Sequence, residues 1–273
     1  MEDTEQIPLG EALAVRADGD VWTATVHDGF DVHGIPHGGY LAALAGSAVL
    51  AATGQPDLFT TTTHYLRKAA MGPIAFAVSR VGGSRRFTTV TATGTQQGEP
   101  VLAVMASVGD RTTIEGPSWH AAAPWDPDSA TLSPRADADE VAFPAPRVSR
   151  RVGMRLDTAT TGFTEGRTGE VAEIRVVTDL ESTDARLGQL AALIACDITP
   201  PAVWAAMGVT GWVPTVELTA HVRARPAAGP LTVRATTNHV GDGFLDEDAL
   251  VHDGEGRLVV QSRQLARFSA SSR

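Results

Sequence analysis

The chain writes one unit twice, in the same order. Residues 36–46 read PHGGYLAALAG and residues 187–197 read LGQLAALIACD, two short stretches of small residues sharing LAAL. Behind the first come TTTTHYLRKAAMGPIAFAVSRV, RFTTVTATGT and EPVLAVMASVG. Behind the second come VPTVELTAHVRARPAAGPLTVRATTNHV, FLDEDALVHD and GRLVVQSRQLARF. His64–Pro73 overlays His221–Pro230 without a gap, and Gly98 then falls opposite Gly256. Self-similarity of this kind marks a supersecondary unit that buries its apolar face against a neighbouring copy.

Each unit reads as a short helix followed by alternating strands. TVELTAHVRA and GRLVVQSRQLARF carry β-branched residues at period two, the pattern of half-buried strands. The helices are Ala/Gly-rich and apolar nearly all round, so they must be surrounded rather than laid on a surface. A curved antiparallel sheet wrapped around a buried helix satisfies both patterns. VWTATVHDGFDVHG supplies a strand ahead of the first helix, and EVAEIRVVTDLE does so ahead of the second, which is expected to begin near Thr183. Between the units, residues 112–148 are rich in Pro, Ala, Asp and Ser and read as a loose linker, with Trp119 and Trp125 as its candidate surface anchors. The expected division is an N-terminal unit over 1–112, a linker over 113–148 and a C-terminal unit over 149–273.

The bulk of the sequence then excludes whole classes of function. A net charge of −10 argues against a nucleic-acid or anionic-membrane surface, since both require a basic face. Cys196 is the one cysteine, so no internal disulfide forms and a reducing cytoplasm is expected. The N-terminus, MEDTEQIPLGEALAV, is acidic and lacks the basic-then-apolar pattern of a signal peptide. No apolar run reaches the ~18–20 residues that a membrane span requires.

With the repeat in place, three short motifs of the second unit carry a resemblance over nearly the whole chain. ACD at the helix end, PTVELTAHVRARP and GRLVVQSRQLA resemble the aspartate, threonine and glutamine motifs of the double hotdog acyl-CoA thioesterases, the type II family. HGGY and THYLRKAAMGP in the first unit resemble the family's glycine pair and its His…Leu-Arg strand. Glu217 stands where many relatives have aspartate, and THYLRKA lacks the usual proline after arginine. The resemblance implies an α+β fold, a tandem (double) hotdog of two antiparallel curved sheets each wrapping a central helix. It implies a fatty acyl-CoA thioesterase of fatty-acid metabolism that needs no cofactor, acts on acyl-CoA or acyl-pantetheine, and assembles as a homo-oligomer through open sheet edges. It places the catalytic carboxylate at Asp197, the hydroxyl at Thr215 and the amide at Gln264.

Overlaying the units sets Asp197, Thr215 and Gln264 opposite Ala48, Leu58 and Ala106. Polar groups in one copy are apolar in the other, as expected when a pair of units needs only one reaction centre. An aspartate ending an apolar helix is costly to bury alone. A hydroxyl and an amide can each donate to it or to a shared water. The three together suit water activation, with Asp197 taking the proton; general base catalysis of this kind contributes ~10²–10⁴-fold. His37, Gly38 and Gly39 open the first helix, where glycine lets backbone N–H groups approach a ligand and the helix terminus adds partial positive charge. They are the expected substrate-binding and oxyanion residues, with Gly39 the preferred donor.

Each position also has a plainer reading. Asp197, followed by Ile-Thr-Pro-Pro, can simply close a helix; Thr215 can be structural; Gln264 can decorate an edge; Gly38 and Gly39 can serve helix packing. Cys196 reads as an inert core thiol. His33 and His37 lie four apart, but Gly34 and Pro36 between them argue against a helix and so against a metal site. Arg67, Lys68, Arg85, Arg86, Arg223 and Arg225 are the basic candidates for CoA phosphates. Two rival functions stand beside hydrolysis: a hotdog enoyl-CoA hydratase or dehydratase, and a silent acyl-CoA-binding protein. The first needs an acid–histidine pair, and no histidine joins Asp197 in its helix or flanks, although His221 lies on the Thr215 strand. A serine hydrolase is disfavoured because no G-x-S-x-G occurs.

Overall fold

The structure is a computed structural model and describes residues 7–119, 124–138, 145–180 and 184–268. The first half runs α1 (Leu9–Ala12), β1 (Arg16–Asp18), β2 (Val21–Val26), β3 (Asp31–Val32), β4 (Ile35–Pro36), α2 (Gly38–Thr53), β5 (Asp57–Tyr65), β6 (Gly72–Gly83), β7 (Phe87–Gln96) and β8 (Glu99–Gly109). The second runs α3 (Arg147–Arg151), β9 (Arg155–Leu156), β10 (Glu173–Thr178), α4 (Ala185–Ala195), α5 (Val203–Met207), β11 (Thr215–Val222), β12 (Leu231–Thr236), β13 (Val240–Gly241), β14 (Phe244–His252) and β15 (Leu258–Arg267). Thr183, where the second helix was expected to start, lies outside the described residues.

Where the sequence leads one to expect a separate sheet in each half, the described residues form, beside the small β3–β4 hairpin, one large sheet that runs through both. Its thirteen strands follow the order β1-β2-β6-β7-β8-β5-β11-β15-β14-β12-β10-β9, with β13 on β14. The joint is the antiparallel pair β5–β11, in which each half covers the other's open edge and satisfies its backbone groups. The pairing reads alike from either strand: His64 faces Glu217, His221 faces Thr60, and Thr62 faces Thr219 at the centre. There the two threonine hydroxyls meet at 2.9 Å. Outward from this axis the strand order is symmetric. Thr61 pairs with Ala106 on β8, and Leu218 pairs with Gln264 on β15. Ala106 and Gln264 therefore occupy equivalent places, as the sequence overlay sets them.

Helices α2 and α4 lie against each other and against the sheet. From Gly39 to Leu50 every residue of α2 is buried, which accounts for a helix with no polar face. Two glycines let the helices approach. A Cβ on Gly39 would lie 2.8 Å from the Leu193 carbonyl oxygen, and one on Gly46 would lie 3.2 Å from Leu190 and 3.1 Å from Leu58. The apolar counterparts of the polar trio, Ala48, Leu58 and Ala106, are all buried. Gln189, on α4, is also buried and ties α4 to the start of β5, accepting from Leu58 N at 3.1 Å and donating to the Pro56 carbonyl. A second tie between the halves is ionic: the fully buried Asp57 carboxylate takes a bidentate pair from Arg225 at 2.6 and 2.7 Å and the Arg111 amide at 2.8 Å.

Of the two tryptophans in the connecting segment, Trp119 is 82% exposed. Trp125 lies under the Arg175 guanidinium, 5.7 Å from ring centroid to Cζ. Farther along, Leu132 bridges to Asp157, and Ser133 and Ala136 donate to the Leu156 and Met154 carbonyls.

Candidate functional site

The site is assembled where the start of α2 meets the end of α4. Just before α2, a two-strand hairpin turns at His33 and Gly34, both with positive φ (50° and 78°), as a tight two-residue turn requires. The buried Asp31 carboxylate accepts from Gly34 N at 2.8 Å and fixes that turn. His33 thus sits in a turn and no helix joins it to His37. The hairpin delivers His37 as the N-cap of α2, where Nδ1 accepts from Tyr40 N at 3.3 Å. Its Nε2 then carries the proton and donates to the Asp197 backbone carbonyl at 2.8 Å.

Asp197 follows the C-cap of α4 and its carboxylate is almost enclosed, 10% exposed. Oδ2 accepts the Gly39 amide at 2.7 Å and lies 3.4 Å from His37 Nε2. No hydrogen bond to Oδ1 is found among the described residues. Burial raises the pKa of this carboxyl above its ordinary value, while the His37 ring and the Gly39 amide act the other way. Gly39, the expected oxyanion donor, therefore gives its N–H to Asp197 here. Gly38 is the next candidate, since its N–H has no backbone partner among the described residues.

Thr215 and Gln264 meet directly. Thr215 Oγ1 donates to Gln264 Oε1 at 2.6 Å. Alternation from the inward-facing Leu218 would turn Thr215 outward, but a bulge between Thr215 and Glu217 shifts its phase. Neither side chain is bonded to Asp197. Gln264 instead donates from Nε2 to Glu247 at 3.0 Å, a residue sequence reasoning did not single out. Glu247 is buried on β14, accepts Ala202 N at 2.6 Å, and faces Thr199 at 3.4 Å. Burial pushes its pKa up to about 7; the Ala202 amide opposes this, and the Asp197 charge adds to it. The signal was in FLDEDALV: Leu245, Glu247, Ala249 and Val251 share one phase of the strand, so the alternation points one carboxylate into the core.

The remaining candidates sort as follows. His221 is exposed on the outer face of the sheet, away from Asp197; the histidine that meets Asp197 comes from the first half instead. Cys196 is buried, and burial raises its thiol to about 12. Arg225 is committed to Asp57, and Arg67 pairs with Glu99 at 2.9 Å. No cluster of metal-ligating side chains occurs among the described residues, nor any helix long and apolar enough to cross a membrane.

Comparison with known proteins matches both halves to the parts of one family. The model of the acyl-CoA thioesterase N-terminal domain covers residues 26–109, and that of the C-terminal domain covers residues 124–268. A solved structure of a putative thioesterase II from Thermobifida fusca is 27% identical, covers 97% of this chain and 99% of its own, and superposes with a TM-score of 0.84. A hot dog fold protein of unknown function from Alicyclobacillus acidocaldarius is 22% identical over 96% of this chain and 98% of its own, at a TM-score of 0.81, and is similar in fold. Among curated relatives, an uncharacterized protein of Mycobacterium tuberculosis is 48% identical over 81 residues, which span 30% of this chain and 28% of that protein.

Proposed function

This chain belongs to the acyl-CoA thioesterase family, and from that premise we propose that it hydrolyses a fatty acyl-CoA to free acid and CoA. The observation that carries the reading is the Asp197 carboxylate, almost enclosed, raised in basicity and held by the Gly39 amide of the other half, whose His37 ring holds the Asp197 backbone carbonyl. Each half is read as a hotdog unit, 1–112 and 149–273, with 113–148 between them and the site at their junction. The reading includes a cytoplasmic homo-oligomer and an acyl-CoA or acyl-pantetheine substrate.

In this reaction water attacks the thioester carbon, its proton passes to Asp197, and the carbonyl electron pair moves to oxygen. Collapse of the tetrahedral intermediate breaks the carbon–sulfur bond, and CoA leaves with the proton that Asp197 returns. The higher pKa of Asp197 suits both transfers, because a base works best when its pKa approaches the operating pH. Thr215 and Gln264 orient the water, and the Gly38 amide at the helix terminus meets the developing oxyanion. Glu247 fixes which way the Gln264 amide points: its carboxylate takes the NH₂ end, leaving the carbonyl end to Thr215.

A hydratase reading draws on His37, 3.4 Å from the Asp197 carboxylate. Both ring nitrogens of His37 are already engaged, by Tyr40 N and by the Asp197 carbonyl, which leaves no free nitrogen for acid–base exchange. Two assays on the same preparation separate the readings: free thiol release across a panel of acyl-CoA chain lengths, and hydration of an enoyl-CoA. Hydrolysis predicts thiol release without hydration; hydration without thiol release would overturn it.

A further inference from the structure

Tyr65 closes β5 in the same inward phase as the buried Thr61 and Thr63. Its hydroxyl is fully enclosed yet has no hydrogen-bond partner among the described residues. A buried hydroxyl without a partner is a cost that phenylalanine would avoid, so its presence calls for an explanation. Its position supplies one. A Cβ built on Gly38 would lie 2.8 Å from Asp197 Oδ2 and 3.1 Å from Tyr65 Oη. Any side chain on Gly38 would press on both, so the glycine lets the start of α2 pack directly against one acceptor and one donor. Burial, with the nearby charges of Asp197 and Glu217, holds the phenol well above its ordinary pKa, so it keeps its proton and can donate it in a hydrogen bond.

We propose that the Tyr65 hydroxyl is a catalytic residue that donates a hydrogen bond to the thioester carbonyl oxygen and holds the negative charge that oxygen gains under attack by water. This rests on the hydrolase reading above. Tyr65 comes from the first half and the base from the second, so the two halves divide the transition state between them. A donor already desolvated and unpaired is free for the substrate and needs no partner broken first.

The test is Tyr65→Phe, with two readouts beside thiol release. The kcat on acyl-CoA is expected to fall about 100-fold, the scale of losing one oxyanion donor, with KM changed less than about threefold. The melting temperature of the ligand-free variant is expected to hold or rise, since the lost hydroxyl had no partner; a purely structural tyrosine would lower it. A ketone analogue of acyl-CoA, with CH₂ for sulfur and a ¹³C carbonyl, is expected to show a downfield carbonyl shift on binding that Tyr65→Phe abolishes. Wild-type kcat in Tyr65→Phe would overturn the proposal. Should the wild-type protein release no thiol, the hydrolase reading falls and the catalytic role with it. The ketone then decides only whether Tyr65 binds the carbonyl: a shift lost in the variant upholds that hydrogen bond, and an unchanged shift or no binding ends it.

Discussion

Gly39 and Asp197 come from opposite halves of the chain, and the backbone amide of the first donates to the carboxylate of the second at 2.7 Å. The bond exists because Gly39 has no side chain: a Cβ there would lie 2.8 Å from the Leu193 carbonyl and 3.0 Å from Asp197 Cβ. Backbone cannot move aside as a flexible side chain can. Gly39→Ala is expected to force α2 from α4, lower stability by about 1–3 kcal/mol as over-packing does, and reduce thiol release together with it. Thermal unfolding and turnover on one preparation check both. An unchanged melting temperature would mean that the helices do not meet this closely.

Glu247 gives the site a pH signature in stability. Its ordinary value of 4.5 is held at about 7 in the fold, chiefly by burial. A carboxyl with a raised folded pKa contributes stability that is fully present below pH 4.5 and is lost as pH rises through about 7. The loss is on the order of 3 kcal/mol. Glutamine at this position cannot ionise. The melting temperature of Glu247→Gln relative to wild type is therefore expected to climb between pH 4.5 and 8, and a difference independent of pH would contradict this.

The buried Asp57 carboxylate holds Arg225 and the Arg111 amide, clamping the first half to the second beside the β5–β11 joint. Removing it leaves a guanidinium and an amide without their partner. Asp57→Ala is expected to cost less than the ~3–5 kcal/mol of breaking a fully buried pair, because Arg225 is one-third exposed, but more than about 1 kcal/mol, read by urea denaturation. A loss under 1 kcal/mol would place the stability of the joint in the strand pairing alone.

Much of the architecture was legible because symmetry writes itself into sequence. The His64 and His221 overlay becomes the register of β5 on β11, with Thr62 and Thr219 on its axis. The merger of both sheets was not legible, because edge pairing is a matter of backbone groups that every residue carries. At the site, Asp197 and His37 were named, and the contact between them was not: it spans 160 positions and depends on how α2 meets α4. Gly39 was expected to serve the substrate, and its amide is taken up by Asp197, an allocation that depends on atomic distance rather than residue type. Glu247 and Tyr65 lay in the inward phase of their strands, where polar residues invite a question that alternation alone raises.

Thr215 and Gln264 form one hydrogen-bonded pair, at 2.6 Å, so their removals should not add. Thr215→Val and Gln264→Ala are each expected to reduce turnover more than tenfold, and the double variant to lose little more than the worse single one. Steady-state rates of thiol release for the three proteins give the coupling. Multiplying losses would show that the two side chains act apart.

Turnover of Asp197→Asn on a fatty acyl-CoA tests most directly whether this carboxylate activates the water. Asparagine keeps the acceptor for the Gly39 amide and the shape of the helix junction but cannot take a proton. The expected result is a kcat reduced by about 100-fold or more with the melting temperature retained, the scale of losing a general base. Wild-type turnover in Asp197→Asn would contradict it.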